Sequence, residues 1–499
     1  MAGIHPALAG SRHSREGIIH NLDVILKRFY DDKLAQASYL VGCPGAEECL
    51  IIDPNRDVYA YLEAAEQEGL RIVGVTETHI HADFLSGARE LARVAGAALY
   101  VSDEGDADWK YAFADEPNVR LVKDGDVIRV GAVRLDVLHT PGHTPEHISF
   151  LLTDEAASSE PLGVFSGDFV FVGDVGRPDL LEKAAGVSGT MEAGAKQLYE
   201  SLQRLGAYPD SLLIFPGHGA GSACGKGLGG VPVSSLGYEK RVGWAWKAPS
   251  AQEFVQAVLE GQPDPPRYFK EMKRMNKEGP APRGRIHAPK RLSPEALFAH
   301  LAENTAIVFD VRAPEEFAQG HLPGTLNLYE GRTFPTWAGW LLPYDRPLAF
   351  IAHDEEEARQ VAKDLALIGL DDLVGWAGEE ALEAWRSARP LEATQTADAA
   401  SAKVACSSAD VVIDVRTPNE YDAGHLEGAR NIPLGRLPER LSELPQEGSI
   451  LVYCQTGGRS SIATSLLLRA GFSSVVNLDG GYSACVGHGQ TSGAAVPSG

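Results

Sequence analysis

Short apolar runs separated by Gly, Asp and Pro turns dominate the first 245 residues. Tyr39 to Val41, Cys49 to Asp53, Arg71 to Thr76, Ala97 to Val101, Val127 to Val130, Val133 to Leu138 and Ile148 to Leu152 each read as a strand. Helical spacing of apolar positions intervenes at Val58 to Gln67, Gly87 to Val94 and Met191 to Leu205. This alternation predicts a mixed α/β sandwich. Residues 246–289 break the pattern. They are rich in Pro, Lys and Arg, including Arg267, Lys270, Lys273, Arg274, Lys277, Arg283 and Arg285, and read as a basic connecting segment, solvated by default.

The rest of the chain repeats itself. Ala306-Ile-Val-Phe-Asp-Val-Arg312 recurs as Asp410-Val-Val-Ile-Asp-Val-Arg416, and Glu316-Phe-Ala-Gln-Gly-His321 recurs as Glu420-Tyr-Asp-Ala-Gly-His425. The offset is 104 residues, Asp310 to Asp414, and falls to 101 further on, Val361 to Ile462. Each copy alternates strand and helix, so two small α/β units with parallel sheets are expected. The expected units are residues 18–245, the connection 246–289, a first repeat 290–390, a linker 391–408 rich in Thr, Ala and Ser, and a second repeat 409–490.

Bulk composition narrows the function. The net charge of −23 argues against nucleic acid and anionic membrane surfaces as general partners. Residues 1–17 hold no apolar core of secretory-leader type, and no apolar run approaches the length of a membrane span. Six cysteines in 499 residues are too few for a disulfide framework, so a reducing cytoplasm is expected. Cys43, Cys49, Cys406 and Cys485 are read as having no chemical role. A homo-oligomer is left open.

Two constellations carry chemistry. Thr78-His-Ile-His-Ala-Asp-Phe84 follows an apolar run, and His139-Thr-Pro-Gly-His143, Ser166-Gly-Asp168 and Phe215-Pro-Gly-His218 add three further His or Asp sites at strand ends. Gly at such positions permits tight turns that aim the next side chain into a shared pocket. The second is Leu451-Val-Tyr-Cys-Gln-Thr-Gly-Gly-Arg-Ser460, a β-run that ends at Cys454 and opens a helix. Backbone N–H groups of Gln455, Thr456, Gly457 and Gly458 and the helix N-terminus can face the sulfur there, and Arg459 is expected to add a full positive charge. Cys454 to Arg459 is Cys-X4-Arg, one residue shorter than the phosphatase cradle, which suits a sulfane sulfur. With the 101-residue offset, Cys454 falls on His353 and Arg459 on Ala358, so the first copy has no thiol and reads as a packing or docking module.

The first constellation resembles the metallo-β-lactamase superfamily, and the second, with Asp414, Arg416, Glu420, His425, Asn431 and Asp479-Gly-Gly481, resembles rhodaneses. The resemblance implies an α/β chain: a metallo-β-lactamase αββα sandwich followed by two rhodanese-like α/β domains. It implies His79, His143 and Asp168 as metal ligands, with His81, Asp83 and His218 as outer groups. Phe84 replaces the His of the usual His-X-His-X-Asp-His motif and cannot ligate, so one metal rather than two is expected. Gly176-Arg-Pro-Asp179 is similar to the persulfide dioxygenases of this superfamily, in which Arg177 and Asp179 would shape the substrate site; a surface ion pair is the plainer reading.

The expected activity is therefore Fe(II)-dependent oxidation of a thiol persulfide, such as glutathione persulfide, by O2 to sulfite. Cys454 would carry sulfane sulfur, with sulfite and thiosulfate as small-molecule partners. Two His and one carboxylate with open positions suit non-haem Fe(II). A Zn(II) thioester hydrolase of glyoxalase II type with an appended sulfurtransferase is the alternative, and Phe84 speaks against it. A third reading, a non-enzymatic sulfur carrier, needs a purely structural metal.

Overall fold

The computed structural model describes residues 24–180, 182, 189–398 and 400–487. Residues 1–23 and 488–499, which include the stretch read as holding no secretory leader and both outer ends of the expected units, lie outside the described residues, as does Ala399 of the linker. Two six-stranded sheets form the N-terminal part. The first runs in chain order through Ile25–Asp31, Gln36–Cys43, Glu48–Ile52, Arg71–Thr76, Ala98–Ser102 and Val119–Val122. Its first two pairings are antiparallel and the rest are parallel, joined by helices Val58–Gln67 and Ala88–Ala95. The second sheet orders Ser234–Ser235, Leu213–Pro216, Gly163–Gly167, Ile148–Asp154, Val133–His139 and Val127–Val130.

The inner faces of the sheets bury Tyr39, Val41, Leu50, Ile52, Leu135, Val137, Phe150 and Phe165 together. Ile51, Val75 and Leu99 pack outward onto the helices of the first sheet, and Val164 and Ile214 onto Leu198 and Leu202 of helix Thr190–Gly206. Strand Ile148–Asp154 is buried at every position because both of its faces are covered, so Phe150, Leu151 and Leu152 follow one another without alternation. The architecture is thus helix, sheet, sheet, helix.

Each repeat forms its own parallel sheet. The first orders Leu326–Asn327, Ile307–Asp310, Leu348–Ile351 and Leu373–Ala377. The second orders Gln395–Ala397, Val475–Leu478, Ile450–Tyr453, Val411–Asp414 and Arg430–Asn431. Two expectations need correction. The linker 391–408 supplies an edge strand, Gln395–Ala397, and a helix, Ala402–Ser408. The basic stretch 246–289 is not a solvated linker. It holds helices Ala251–Leu259 and Phe269–Glu278, and the second buries Phe269, Met272 and Asn276 while its Lys and Arg side chains occupy the other face. Among the described residues, no helix is long and apolar enough to cross a membrane.

One apolar cluster ties all the parts together. Phe84, Leu85 and Leu180 of the sandwich, Phe269 and Met272 of the connecting helix, and core residues of both repeats belong to it. Asn276 fixes the contact polar side first: its Nδ2 donates to the carbonyls of His81 and Phe84, each at 2.8 Å, and its Oδ1 accepts from Ser86 N at 2.9 Å.

Candidate functional site

The four predicted strand-end sites converge. His79 follows strand Arg71–Thr76, His143 follows Val133–His139, Asp168 follows Gly163–Gly167 and His218 follows Leu213–Pro216. Two glycines make this possible. Gly167 takes a positive φ of 50° as the chain turns into Asp168, and a Cβ at Gly217 would lie 2.8 Å from Asp168 Oδ1.

Ligand atoms of His79, His143 and Asp168 lie within 4.8 Å of one another, and all three residues are buried. His143 Nε2 is 3.5 Å and His79 Nε2 3.9 Å from Asp168 Oδ2. His79 Nε2 and Asp168 Oδ2 make no hydrogen bond, although both are buried. Buried polar groups are ordinarily paired, so these are not satisfied turn residues but donor atoms awaiting a cation. The tautomer agrees. Thr78 Oγ1 donates to Asp53 Oδ2 at 2.9 Å, so it accepts from His79 Nδ1–H at 3.0 Å, and the Nε2 lone pair faces the site. Burial, then the neighbouring imidazoles, hold His79 well below the usual histidine range, so the ring is the neutral form a metal requires. The donor set fits a metal ion.

The outer groups behave differently from one another. His81 turns away, with Nε2 3.1 Å from Asp53 Oδ1; burial opposes its charge, but Asp53, Glu77 and Asp83 together outweigh burial and raise it to about 9. His218 lies between two carboxylates, 3.1 Å from Asp83 Oδ2 and 3.3 Å from Asp168 Oδ1, and donates from Nδ1 to Ala35 O at 3.1 Å. Burial disfavours its charge, yet Asp168 and Asp83 hold it well above the ordinary histidine value. His147 escaped the sequence reading. Its Nε2 accepts the Asp168 N–H at 3.1 Å and its Nδ1–H donates to Thr140 Oγ1 at 2.9 Å, so it orients the ligand carboxylate from behind.

Cys224 was also missed. Its sulfur lies with Asp83 and His218 in a second buried group whose donor atoms are within 4.8 Å of each other. Burial pushes the Cys224 thiol up, out of the range in which it ionises near neutrality. Its sequence signal is slight: a Cys six residues after the strand-end His218.

Arg177 and Asp179 do not form a surface pair. Both are buried, and Arg177 spends its donors on Asp179, at 2.8 and 3.1 Å, on Ala223 O at 2.9 Å and on Pro263 O at 2.6 Å. The pair is an internal strut that pins the loop bearing Cys224 to residue 263. Phe84 is buried with its ring 4.3 Å from that of His81, on the side facing the first repeat.

Cys454 ends strand Ile450–Tyr453 and precedes helix Gly458–Arg469. The sulfur is buried, accepts from Gly457 N at 3.2 Å and from Ser460 Oγ at 3.5 Å. Gly457 needs its positive φ of 105° to bring that N–H round. Gln455 is held by Arg416 Nη1 at 3.0 Å and donates to Ser483 Oγ at 2.8 Å, while Thr456 is exposed. Arg459 departs from expectation. Its guanidinium forks onto Glu420, at 2.8 and 2.6 Å, so its charge is already matched when it reaches the cradle. In the first copy His353 occupies the Cys position, 3.3 Å from Glu316 and 3.1 Å from Glu379, and is exposed.

Known proteins match this division. The metallo-beta-lactamase superfamily model matches residues 31–218, and the rhodanese-like domain model matches residues 293–387 and 396–488. A metallo-β-lactamase solved from Staphylococcus aureus aligns with 71% of this chain and 99% of its own, at 44% identity and a TM-score of 0.66. A hydroxyacylglutathione hydrolase of Rhodospirillum rubrum is 33% identical over 181 residues, which is 36% of this chain and 60% of that protein. The mitochondrial persulfide dioxygenase of Bos taurus is 28% identical over 232 residues, 44% of this chain and 77% of that protein.

Proposed function

The chain belongs to the metallo-β-lactamase superfamily and carries two rhodanese-like domains behind that fold, and from this we propose that it is an Fe(II)-dependent persulfide dioxygenase joined to a sulfurtransferase. The observation that carries the reading is the pairing, in one chain, of a buried two-His, one-carboxylate centre with unpaired donor atoms and a single cradled cysteine. The substrate is a low-molecular-weight thiol persulfide. The overall oxidation balances as RSSH + O2 + H2O giving RSH, sulfite and two protons.

His79, His143 and Asp168 would hold the metal, which supplies a Lewis-acid and redox centre when bound. The chain's own residues do the rest. Thr78 and His147 fix the orientation of His79 and Asp168. The sandwich and the helix Phe269–Glu278 keep the ligand turn Thr78 to Phe84 dry and rigid. His218 holds a proton between Asp83 and Asp168, next to where the chemistry occurs. At the second site, Cys454 accepts a sulfane sulfur: Cys454–S⁻ attacks thiosulfate, a new S–S bond forms, and the old one breaks with its electron pair leaving on sulfite. The reverse step makes thiosulfate from sulfite.

The hydrolase reading is favoured by the Rhodospirillum relative and would use Zn(II). It needs a second-metal ligand where Phe84 stands in an apolar core. Metal analysis with O2 uptake on glutathione persulfide separates the two. Iron and O2 consumption are expected; bound zinc with thioester hydrolysis and no O2 uptake would sink the dioxygenase reading.

A further inference from the structure

The Cys454 loop is not walled by its own repeat alone. Gly457 and Gly458 are adjacent, but only Gly457 has a positive φ. Gly458 is small for another reason: a Cβ there would run into the hydroxyl of Tyr329 and lie 3.1 Å from its Cζ. Tyr329 belongs to the first repeat, the copy that has no thiol.

Its place is set by polar contacts between the repeats. Asn327 N donates to Ser465 Oγ at 2.9 Å, and Ser461 Oγ donates to Asn327 Oδ1 at 3.0 Å. These clamp strand Leu326–Asn327 along helix Gly458–Arg469, and Tyr329 follows two residues later at the helix N-terminus. The repeat architecture does not itself require a tyrosine there, since the equivalent position 104 residues on is Pro433. Burial, and then negative charge on Cys454, both disfavour loss of the phenolic proton, so the hydroxyl remains a donor. The same segment reaches the metal-binding domain, where Glu330 pairs with Lys33 and Arg332 Nη2 donates to Ala220 O at 3.5 Å.

We propose that Tyr329 is a substrate-binding residue of the Cys454 site: its hydroxyl donates a hydrogen bond to the anionic oxygens of a sulfonate-bearing sulfur donor, such as thiosulfate, seated over the loop. The thiol-less repeat thereby completes the active site of its twin. This rests on the reading of Cys454 as a sulfur carrier. In the transfer, thiosulfate and the Cys454 thiolate carry three negative charges, and so do the Cys454 persulfide anion and sulfite. The hydroxyl neither gains nor loses its proton.

The test uses the full chain and its thiosulfate:cyanide sulfurtransferase activity. Tyr329→Phe keeps the ring and removes only the donor. The expected result is a rise of about tenfold in KM for thiosulfate, the scale of one hydrogen bond to a charged group, with kcat and the KM for cyanide little changed. Unchanged KM values overturn the proposal. So does a fall in kcat alone accompanied by a lower melting temperature, because a packing role loses active protein without shifting KM for one substrate. Tyr329→Leu, lacking ring and hydroxyl, should raise the same KM at least as far; a lower KM would equally overturn it. Cys454→Ser distinguishes the two levels. If Cys454→Ser matches the wild type, the carrier reading fails; if Cys454→Ser is inactive and Tyr329→Phe is unaffected, only this inference fails.

Discussion

Glu420 and Arg459 show how much a side chain's partner changes its meaning. Sequence spacing places Arg459 as a cation for the thiol loop, yet it reaches the loop already paired. Glu420 does three jobs: it accepts from Thr417 N and Thr417 Oγ1 at the start of a helix and holds Arg459. Burial opposes its ionisation, but Arg459 and Thr417 outweigh burial and hold the carboxyl down at about 2. Because the folded value is depressed, its stabilisation is present above the ordinary carboxylate range and lost as pH falls through that range toward 2. Glu420→Gln should therefore lower stability at pH 7 by about 1 kcal/mol, after allowing for solvent screening of this half-exposed pair, and the difference from wild type should shrink on acidification. Melting temperature against pH measures it. In the first copy Glu316 has lost its Arg, and His353 takes the place of that cation at 3.3 Å. At the metal site, Asp168→Asn should leave the chain folded but cut bound metal at least tenfold, read by elemental analysis.

At the scale of elements, helix Phe269–Glu278 is the unexpected one. Its apolar stripe is short and its charges are many, so the local pattern resembles a solvated segment. Only the surrounding chain makes Phe269, Met272 and Asn276 interior. Asn276 binds the turn that carries His81 and Phe84 with hydrogen bonds at 2.8 and 2.9 Å. Asn276→Ala leaves buried carbonyls unpaired and should cost about 2 kcal/mol in denaturant unfolding. Because the same turn positions His79, the variant should also lose metal to a chelator faster than wild type. An unchanged rate would separate the helix from the centre. By contrast, strands such as Arg71–Thr76 and Val133–His139 were legible directly, the first from its Ile, Val and Thr residues and the second from alternating apolar positions that stop at the Pro141-Gly142 turn.

Across the whole molecule, one apolar cluster is shared by the sandwich, the connecting helix and both repeats. Leu34, Phe84, Leu85 and Leu180 enter it from the metal domain, and Leu85 N donates to Leu367 O of the first repeat at 2.7 Å. A chain cut after residue 289 would expose this face. It should bind an apolar dye and associate at concentrations where the full chain does not, as sedimentation would show. Phe84 thus anchors the metal domain to the neighbouring repeat.

The sequence alone determined the features that are local. Strand-end His and Asp residues, the Cys454 loop, the internal repeat and the missing thiol at His353 all depend on residue type and short spacing, which the chain states directly. The tertiary structure decided what depends on distant partners. It buried Arg177 with Asp179, matched Arg459 with Glu420, placed Cys224 beside His218 and set Tyr329 of one repeat against Gly458 of the other. These pairs lie from two to more than a hundred residues apart, and whether they meet in water or in a core is settled by packing, not by any pattern along the chain.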